Sequence, residues 1–168
     1  FTFHSSRMIK VGIGYDVHQL KIDEDLFIGG VKVLSDFGSV GHSDGDALSH
    51  AIADALLGAA GLGDIGKFFP SDDDTWKGVE SSTFISDVIS RITKIGYKVN
   101  NVDATIILQS PKIEKYIGQI NEALSEVMFL DRSRINIKAT TTDRLGVIGE
   151  GLAFGLGIDS ELISRVSD

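Results

Sequence analysis

The sequence contains no cysteine. Disulfides are therefore excluded, and so is a structural zinc held by thiolates; any zinc site must be built from histidine and carboxylate, a donor set typical of catalysis. Long apolar runs are missing as well. None approaches the ~20 residues that span a bilayer, and the start lacks a charged segment followed by an apolar signal core, so no membrane association is expected and a cytoplasmic location is the default. Positive charge is scarce: 16 Lys and Arg against 24 Asp and Glu leave a formal charge of -8. That balance works against binding nucleic acid, which requires a basic footprint. An acidic chain can still bind a small anion where metal ions and backbone N–H groups offset the repulsion, so a divalent metal is expected.

With 168 residues, 42% apolar and 24% charged, the chain suits one domain with a sizeable core. That domain is expected to span residues 8–168. Residues 1–7 precede Met8 and read as an upstream remnant or cloning scar. Residues 9–18 alternate as a strand around Gly12 and Gly14, and residues 27–33 read as a hairpin turning at Gly29-Gly30. A helix follows from Asp46, with Leu48, Ala51, Ile52, Ala55, Leu56 and Ala59 on one stripe, Ser43 or Asp44 as candidate cap and Gly61 as stop. A second helix carries Phe84, Ile85, Val88, Ile89, Ile92 and Ile95 on its core face and ends at Gly96.

Residues 102–108 read as a strand. Pro111 stands where a third helix is expected to begin, with Ile113, Ile117, Ile120, Leu124 and Val127 as its apolar positions. Residues 135–139 start another strand, and Leu152, Phe154, Leu156 and Ile158 alternate as a closing one. No internal repeat or linker is evident. The order predicts an α/β sandwich, a mixed sheet with helices on one face, and a symmetric oligomer to cover the other.

Four clusters could carry chemistry. In Asp16-Val17-His18, strand alternation points carboxylate and imidazole to one side, and His50 on the next helix could complete a zinc set with an open position. His42-Ser43-Asp44-Gly45-Asp46 lies where that helix begins and suits a bound anion, or simply caps the helix. Residues 63–74, with Asp64, Ile65, Gly66, Phe69 and Asp73, could hold sugar hydroxyls or form a solvated turn. In residues 138–146, Thr140, Thr141 and Thr142 suit phosphate and Asp143 suits magnesium, although threonine is equally an ordinary strand residue.

Taken together and in order, these clusters with Gln109-Ser110-Pro111-Lys112 resemble the 2-C-methyl-D-erythritol 2,4-cyclodiphosphate synthase family, from about Met8 to the C-terminus. The resemblance implies a homotrimer, its sheets packed around the axis and its active sites between subunits. It implies one zinc per chain on Asp16, His18 and His50, and magnesium or manganese with the substrate diphosphate near Asp143. The implied substrate is 4-diphosphocytidyl-2-C-methyl-D-erythritol 2-phosphate, whose 2-phosphate attacks the β-phosphorus and expels CMP. By the same likeness His42 and Thr141 stabilise the transition state and Ser43 contacts phosphate. Asp64, Ile65 and Gly66 hold the ribose, and Phe69 and Asp73 face the erythritol. Gln109, Ser110, Pro111, Lys112 and Ile113 bind cytidine and diphosphate, and Thr140 and Thr142 also bind substrate.

The chain departs from the family pattern at four places. Asp143 replaces a usual glutamate, Val147 an aromatic residue and Ser71 an aspartate, and around Glu150 a glycine-flanked arginine is missing. On the residues alone, the same metal set would also serve a zinc phosphohydrolase in which water attacks, or a nucleotide-binding protein without turnover.

Overall fold

The computed structural model describes residues 8–41 and 43–164. Its centre is a mixed sheet of five strands in the order β4-β1-β7-β5-β6. These are β1 (Ile9–Ile22), β4 (Phe37–Ser39), β5 (Tyr97–Ile107), β6 (Ile135–Thr140) and β7 (Ala153–Ser164); β2 (Leu26–Ile28) and β3 (Val31–Val33) form a separate hairpin. All neighbours pair antiparallel except β5 with β6. Helices α1 (Ala47–Ala60), α2 (Ser82–Lys94) and α3 (Ile117–Met128) complete the core, and a short α4 (Gly146–Gly149) precedes β7. Among the described residues no helix is long and apolar enough to cross a membrane.

Helix α1 is buried almost all round. It packs across β1 and β7 on one side and against α2 on the other, and Leu48, Ile52, Leu56 and Leu57 are fully enclosed. Burial of each such side chain stabilises the fold by roughly 1.5–3 kcal/mol. Its alanines serve a different purpose. Gly12 and Gly14 of β1 lie under the helix so closely that a Cβ at Gly14 would stand 1.9 Å from the Ala51 carbonyl oxygen, and one at Gly12 would stand 2.0 Å from that of Ala55. Only a strand without side chains there, against a helix of small residues, can approach that far.

The other face of β1 is open. Ile9, Val11, Ile13, Tyr15 and Val17 all point away from the helices, and Ile13 is 75% exposed. The predicted layering of helices on one sheet face therefore describes the chain well, with the opposite face left apolar.

Several boundaries differ from the sequence-based expectation. Strands β1, β5 and β7 are longer than predicted, and the three-residue β4 went unpredicted because so short a segment has no periodicity to detect. Helix α1 is capped by Asp46, whose carboxylate accepts from Ser49 N, and not by Ser43 or Asp44, which turn elsewhere. Gly61 ends the helix in the left-handed conformation, as expected. Helix α3 starts at Ile117, not at Pro111: the Ser110–Pro111 peptide is cis, and a 3₁₀ turn, Glu114–Tyr116, intervenes. Ile113 is buried but belongs to that preceding loop. Ile95, expected in the core, is 47% exposed because it follows the last turn of α2 as its C-cap. The readings placed on residues 1–7 and on His42 lie outside the described residues.

The Gly14 contact generates the first prediction. Gly14→Ala forces the backbones of β1 and α1 apart, so we expect a loss of about 1–3 kcal/mol or more, typical of overpacking. Thermal unfolding at fixed protein concentration should show a melting temperature several degrees lower; an unchanged value would contradict the close approach.

Candidate metal centre and active site

Because β1 alternates, the face that carries Gly12 and Gly14 also carries Asp16 and His18, directly under α1. His50 lies on the first turn of α1. The glycine contact thus brings the helix low enough for three ligands to meet: donor atoms of Asp16, His18 and His50 all lie within 4.8 Å of one another. His18 Nε2 is 2.9 Å and His50 Nδ1 is 3.3 Å from the same Asp16 carboxylate oxygen.

The rings are oriented from behind. His18 Nδ1 is 3.0 Å from the Gly45 carbonyl oxygen and 2.8 Å from Ser39 Oγ. A carbonyl can only accept, so Nδ1 carries the proton and Nε2 presents its lone pair to the cluster, the arrangement in which histidine binds metal. One carboxylate and two imidazoles, each with a free donor atom converging on one point, fit a divalent ion with an open position.

Electrostatics follow the same geometry. Burial would raise the Asp16 carboxyl, but in the metal-free site ring N–H groups of His18 and His50 can donate to it, and those hydrogen bonds and charge interactions outweigh burial and hold it well below the usual carboxylate range; a bound ion would take the place of those protons. Burial acts downward on His18, and the Asp16 carboxylate more than reverses it, so this imidazole sits above its ordinary value.

The cluster opens into a cavity of about 310 Å³ lined by Asp16, His18, Ser43, His50, Ile65, Gly66 and Phe69 among others. Seven residues singled out from the sequence thus share one site. Asp64, next to Ile65 in the chain, caps the turn Ile65–Lys67 by accepting from Lys67 N at 3.1 Å. Asp73 similarly caps Asp74–Trp76. At the N-terminus of α1, Ala47 N donates to Gly45 O and Ser49 N to Asp46.

The remaining candidates gather elsewhere. Gln109, Pro111, Lys112, Ile113, Thr140 and Thr141 line a separate cavity of about 340 Å³ at the ends of β5 and β6. Ser110 is exposed beside Pro111. Thr142 Oγ1 donates to Leu145 O, and Asp143, at φ +52°, contacts Thr141 Oγ1. Register relates the two cavities: Val17 of β1 and Ile107 of β5 both pair with Gly155, and Ile107 pairs with Thr140. Both therefore sit at the same end of the sheet, three strand spacings or about 14 Å apart.

Sequence reasoning missed Asp54, Trp76 and Phe84, which also line the first cavity. Asp54 is one helical turn beyond His50, a spacing that could have flagged it. Its carboxylate accepts from Ile65 N at 2.7 Å and so ties the loop to α1. Phe69, Trp76 and Phe84 pack ring against ring, with Phe84 beside His50. Aromatic loop residues of this kind read as generic core in a sequence.

Burial pushes the Asp54 carboxyl up, and the nearby Asp64 and Asp16 charges add to that, against the pull of the Ile65 hydrogen bond. A raised folded-state value means that the folded chain holds its proton longer than the unfolded one, so this group weakens the fold as pH rises through the window between the two values. Asp54→Asn mimics the protonated form. In metal-free protein, its stability relative to wild type should increase from below pH ~4 toward neutrality; urea unfolding across that range would reveal a flat difference if Asp54 titrates normally.

Comparison with known proteins agrees with this geometry. The profile of the YgbB family matches residues 9–155. The 2-C-methyl-D-erythritol 2,4-cyclodiphosphate synthase of Clostridium acetobutylicum is 50% identical over 143 residues, covering 85% of this chain and 92% of that protein. Among solved structures, the bifunctional IspDF of Campylobacter jejuni superposes with a TM-score of 0.92 at 36% identity, covering 95% of this chain and 43% of that longer one. IspF of Plasmodium falciparum, in complex with CDP, superposes with a TM-score of 0.83 at 38% identity, covering 94% and 97% of the two chains.

Proposed function

The chain belongs to the YgbB family, and from that membership we infer that it catalyses the cyclodiphosphate synthase reaction of the non-mevalonate isoprenoid pathway. It converts 4-diphosphocytidyl-2-C-methyl-D-erythritol 2-phosphate into 2-C-methyl-D-erythritol 2,4-cyclodiphosphate and CMP. The 2-phosphate oxygen bonds to the β-phosphorus, the bond from that phosphorus to the CMP oxygen breaks, and no water is consumed. The observation that carries the reading is the convergence of Asp16, His18 and His50 beside a cavity.

Within this reading Asp16, His18 and His50 hold one zinc ion per chain, and Asp143 approaches magnesium or manganese bound with the diphosphate. When present, these ions supply Lewis-acid polarisation of the phosphates. The chain's own groups position the substrate. Ser43 faces a phosphate from the cavity wall, while His42 and Thr141 stabilise the transition state. Asp64, Ile65 and Gly66 take the ribose; Phe69 and Asp73 take the erythritol. Gln109, Ser110, Pro111, Lys112 and Ile113, with Thr140 and Thr142, take cytidine and diphosphate, in keeping with a structural relative that binds CDP. No strong base is required, because the attacking phosphate oxygen is already anionic at neutral pH and phosphoryl transfer depends on alignment and charge neutralisation.

The two cavities and the open sheet face suggest how the site is completed. We take residues 8–168 as one synthase domain that assembles as a homotrimer in the cytoplasm, its sheets packed around the axis. The exposed row Ile9, Val11, Ile13, Tyr15 and Val17 supports that packing. Active sites between subunits would then bring the metal cavity of one chain against the Lys112 and Thr141 cavity of the next.

Three experiments test these points. Incubation of the protein with the diphosphocytidyl substrate and divalent metal, followed by phosphorus NMR, should show cyclic diphosphate and free CMP; linear phosphates would indicate hydrolysis instead. The wild type should retain about one zinc per chain, and His50→Ala should lose both zinc and CMP release. Intact zinc in that variant would remove the coordination scheme. Separately, Ile13→Asp should shift the sedimenting species from trimer to monomer, and a trimer that survives a charge at the centre of this face would refute the packing.

A further inference from the structure

The outer nitrogen of His50 has two hydroxyl neighbours, and they are not equivalent. His50 Nε2 is 3.0 Å from Ser43 Oγ and 3.0 Å from Ser81 Oγ. Ser43 can rotate its proton toward or away from the ring, so it supports either tautomer. Ser81 cannot. It is fully buried at the N-terminus of α2. Its hydroxyl donates to Asp44 Oδ1 at 2.5 Å, and its backbone N–H donates to Asp44 Oδ2 at 2.9 Å. Asp44 is fixed in turn by Asp46 N, which donates to it at 3.1 Å. An ionised carboxylate accepts only, so the single proton of Ser81 is committed to Asp44 and its oxygen is left to accept. Ser43 Oγ lies 3.3 Å from that oxygen, farther than His50 Nε2 at 3.0 Å, and the donor the ring can offer it is Nε2–H.

We propose that Ser81 and Asp44 are positioning residues for the metal centre: Asp44, acting through the Ser81 hydroxyl, keeps the His50 proton on Nε2 and turns the Nδ1 lone pair toward Asp16 and His18. The proposal deepens the metal assignment made above and rests on it. It also explains why the two histidines present opposite nitrogens to the cluster. His18 is protonated on Nδ1 by the demand of the Gly45 carbonyl, and His50 on Nε2 by the demand of Asp44 one residue earlier in the same loop. Adjacent residues thus set both tautomers. Outer partners of this kind typically govern metal affinity by ~10–100-fold.

The test uses the full chain, stripped of metal and titrated with Co²⁺ against a competing chelator, together with ¹⁵N NMR of the imidazoles. Ser81→Ala removes the hydroxyl but leaves its backbone N–H on Asp44, so the Asp44 cap of α2 survives. We expect a Co²⁺ dissociation constant ~10–100-fold higher than wild type, loss of the single His50 tautomer, and a double variant with Asp44→Asn that binds no worse than Ser81→Ala alone. Affinity unchanged within about twofold, set against that ~10–100-fold expectation, with thermal stability alone reduced, would assign Asp44 and Ser81 to capping and overturn the relay. If Ser81→Ala does not fold, the ¹⁵N spectrum of zinc-loaded wild type still decides, because a His50 ring that binds the ion through Nε2 and carries its proton on Nδ1 contradicts the proposal directly. Failure of wild type to take up Co²⁺ would overturn the metal centre itself, whereas tight binding by both variants overturns only the relay.

Discussion

The contact between the bare backbone of β1 at Gly12 and Gly14 and the alanine-lined underside of α1 governs the rest of the structure. A strand and a helix packed through ordinary side chains lie about 10 Å apart. Removing every side chain from the strand at two successive inward positions lets the helix sink until carbonyl oxygens of Ala51 and Ala55 nearly touch it. His50 precedes Ala51. Its ring therefore arrives at the level of Asp16 and His18, the next two inward positions of the same strand. Any added bulk under the helix would lift His50 away from a cluster whose members must converge to within a few ångströms.

A second constraint fixes the helix along its own axis. The Asp46 carboxylate, wholly buried, accepts from Gly29 N, Gly30 N, Ser49 N and Ser49 Oγ. A buried charge is tolerated only when so thoroughly satisfied, and removing a partner from such a group typically costs several kcal/mol. The β2–β3 hairpin, whose two glycines supply the donors, is thereby locked to the start of α1. Residues 43–46 divide the surrounding tasks by direction. Asp46 points into the core, the Gly45 carbonyl to His18, Asp44 to α2 and Ser43 to His50. Four consecutive residues hold three elements and both imidazoles.

Much of this was legible in the sequence where periodicity carried it. The alternation of β1 placed Asp16 and His18 on one side, the stripe of α1 put His50 on the next helix as a possible third ligand, and Gly61 ended the helix where it should. Other features leave no periodic trace. With Ser43, Asp44 and Asp46 all competent to cap, only burial selects Asp46, and burial depends on hairpin glycines 16 and 17 positions away. Ser81 reads as an ordinary helix-capping serine; its contact with His50 spans 31 positions and depends on how α2 docks. Asp54 sits on the polar side of a stripe that looks like solvent until the loop carrying Ile65 folds over it. The division of the expected site into two cavities is likewise invisible along the chain, because it follows from the order of strands in the sheet.

Charge explains why the metal centre belongs to the architecture and not merely to the chemistry. The chain carries a formal -8, and the cavity beside His18 and His50 is lined by two further acids, Asp16 and Asp54. A phosphate placed about 4 Å from one such carboxylate meets a repulsion of roughly 4 kcal/mol at an effective dielectric of 20. Neutral imidazoles do nothing to offset it. A divalent ion on Asp16, His18 and His50 would cancel the charge of those two carboxylates and place its own positive charge where substrate oxygens would approach. Holding Asp16 ionised over a wide pH range then serves the site as a whole, since a protonated Asp16 would forfeit both the ion and the attraction. In an acidic protein acting on a polyphosphate, borrowed cations would supplement its own, such as Lys112 of the second cavity, and the arrangement of β1 under α1 is what would allow them to be held.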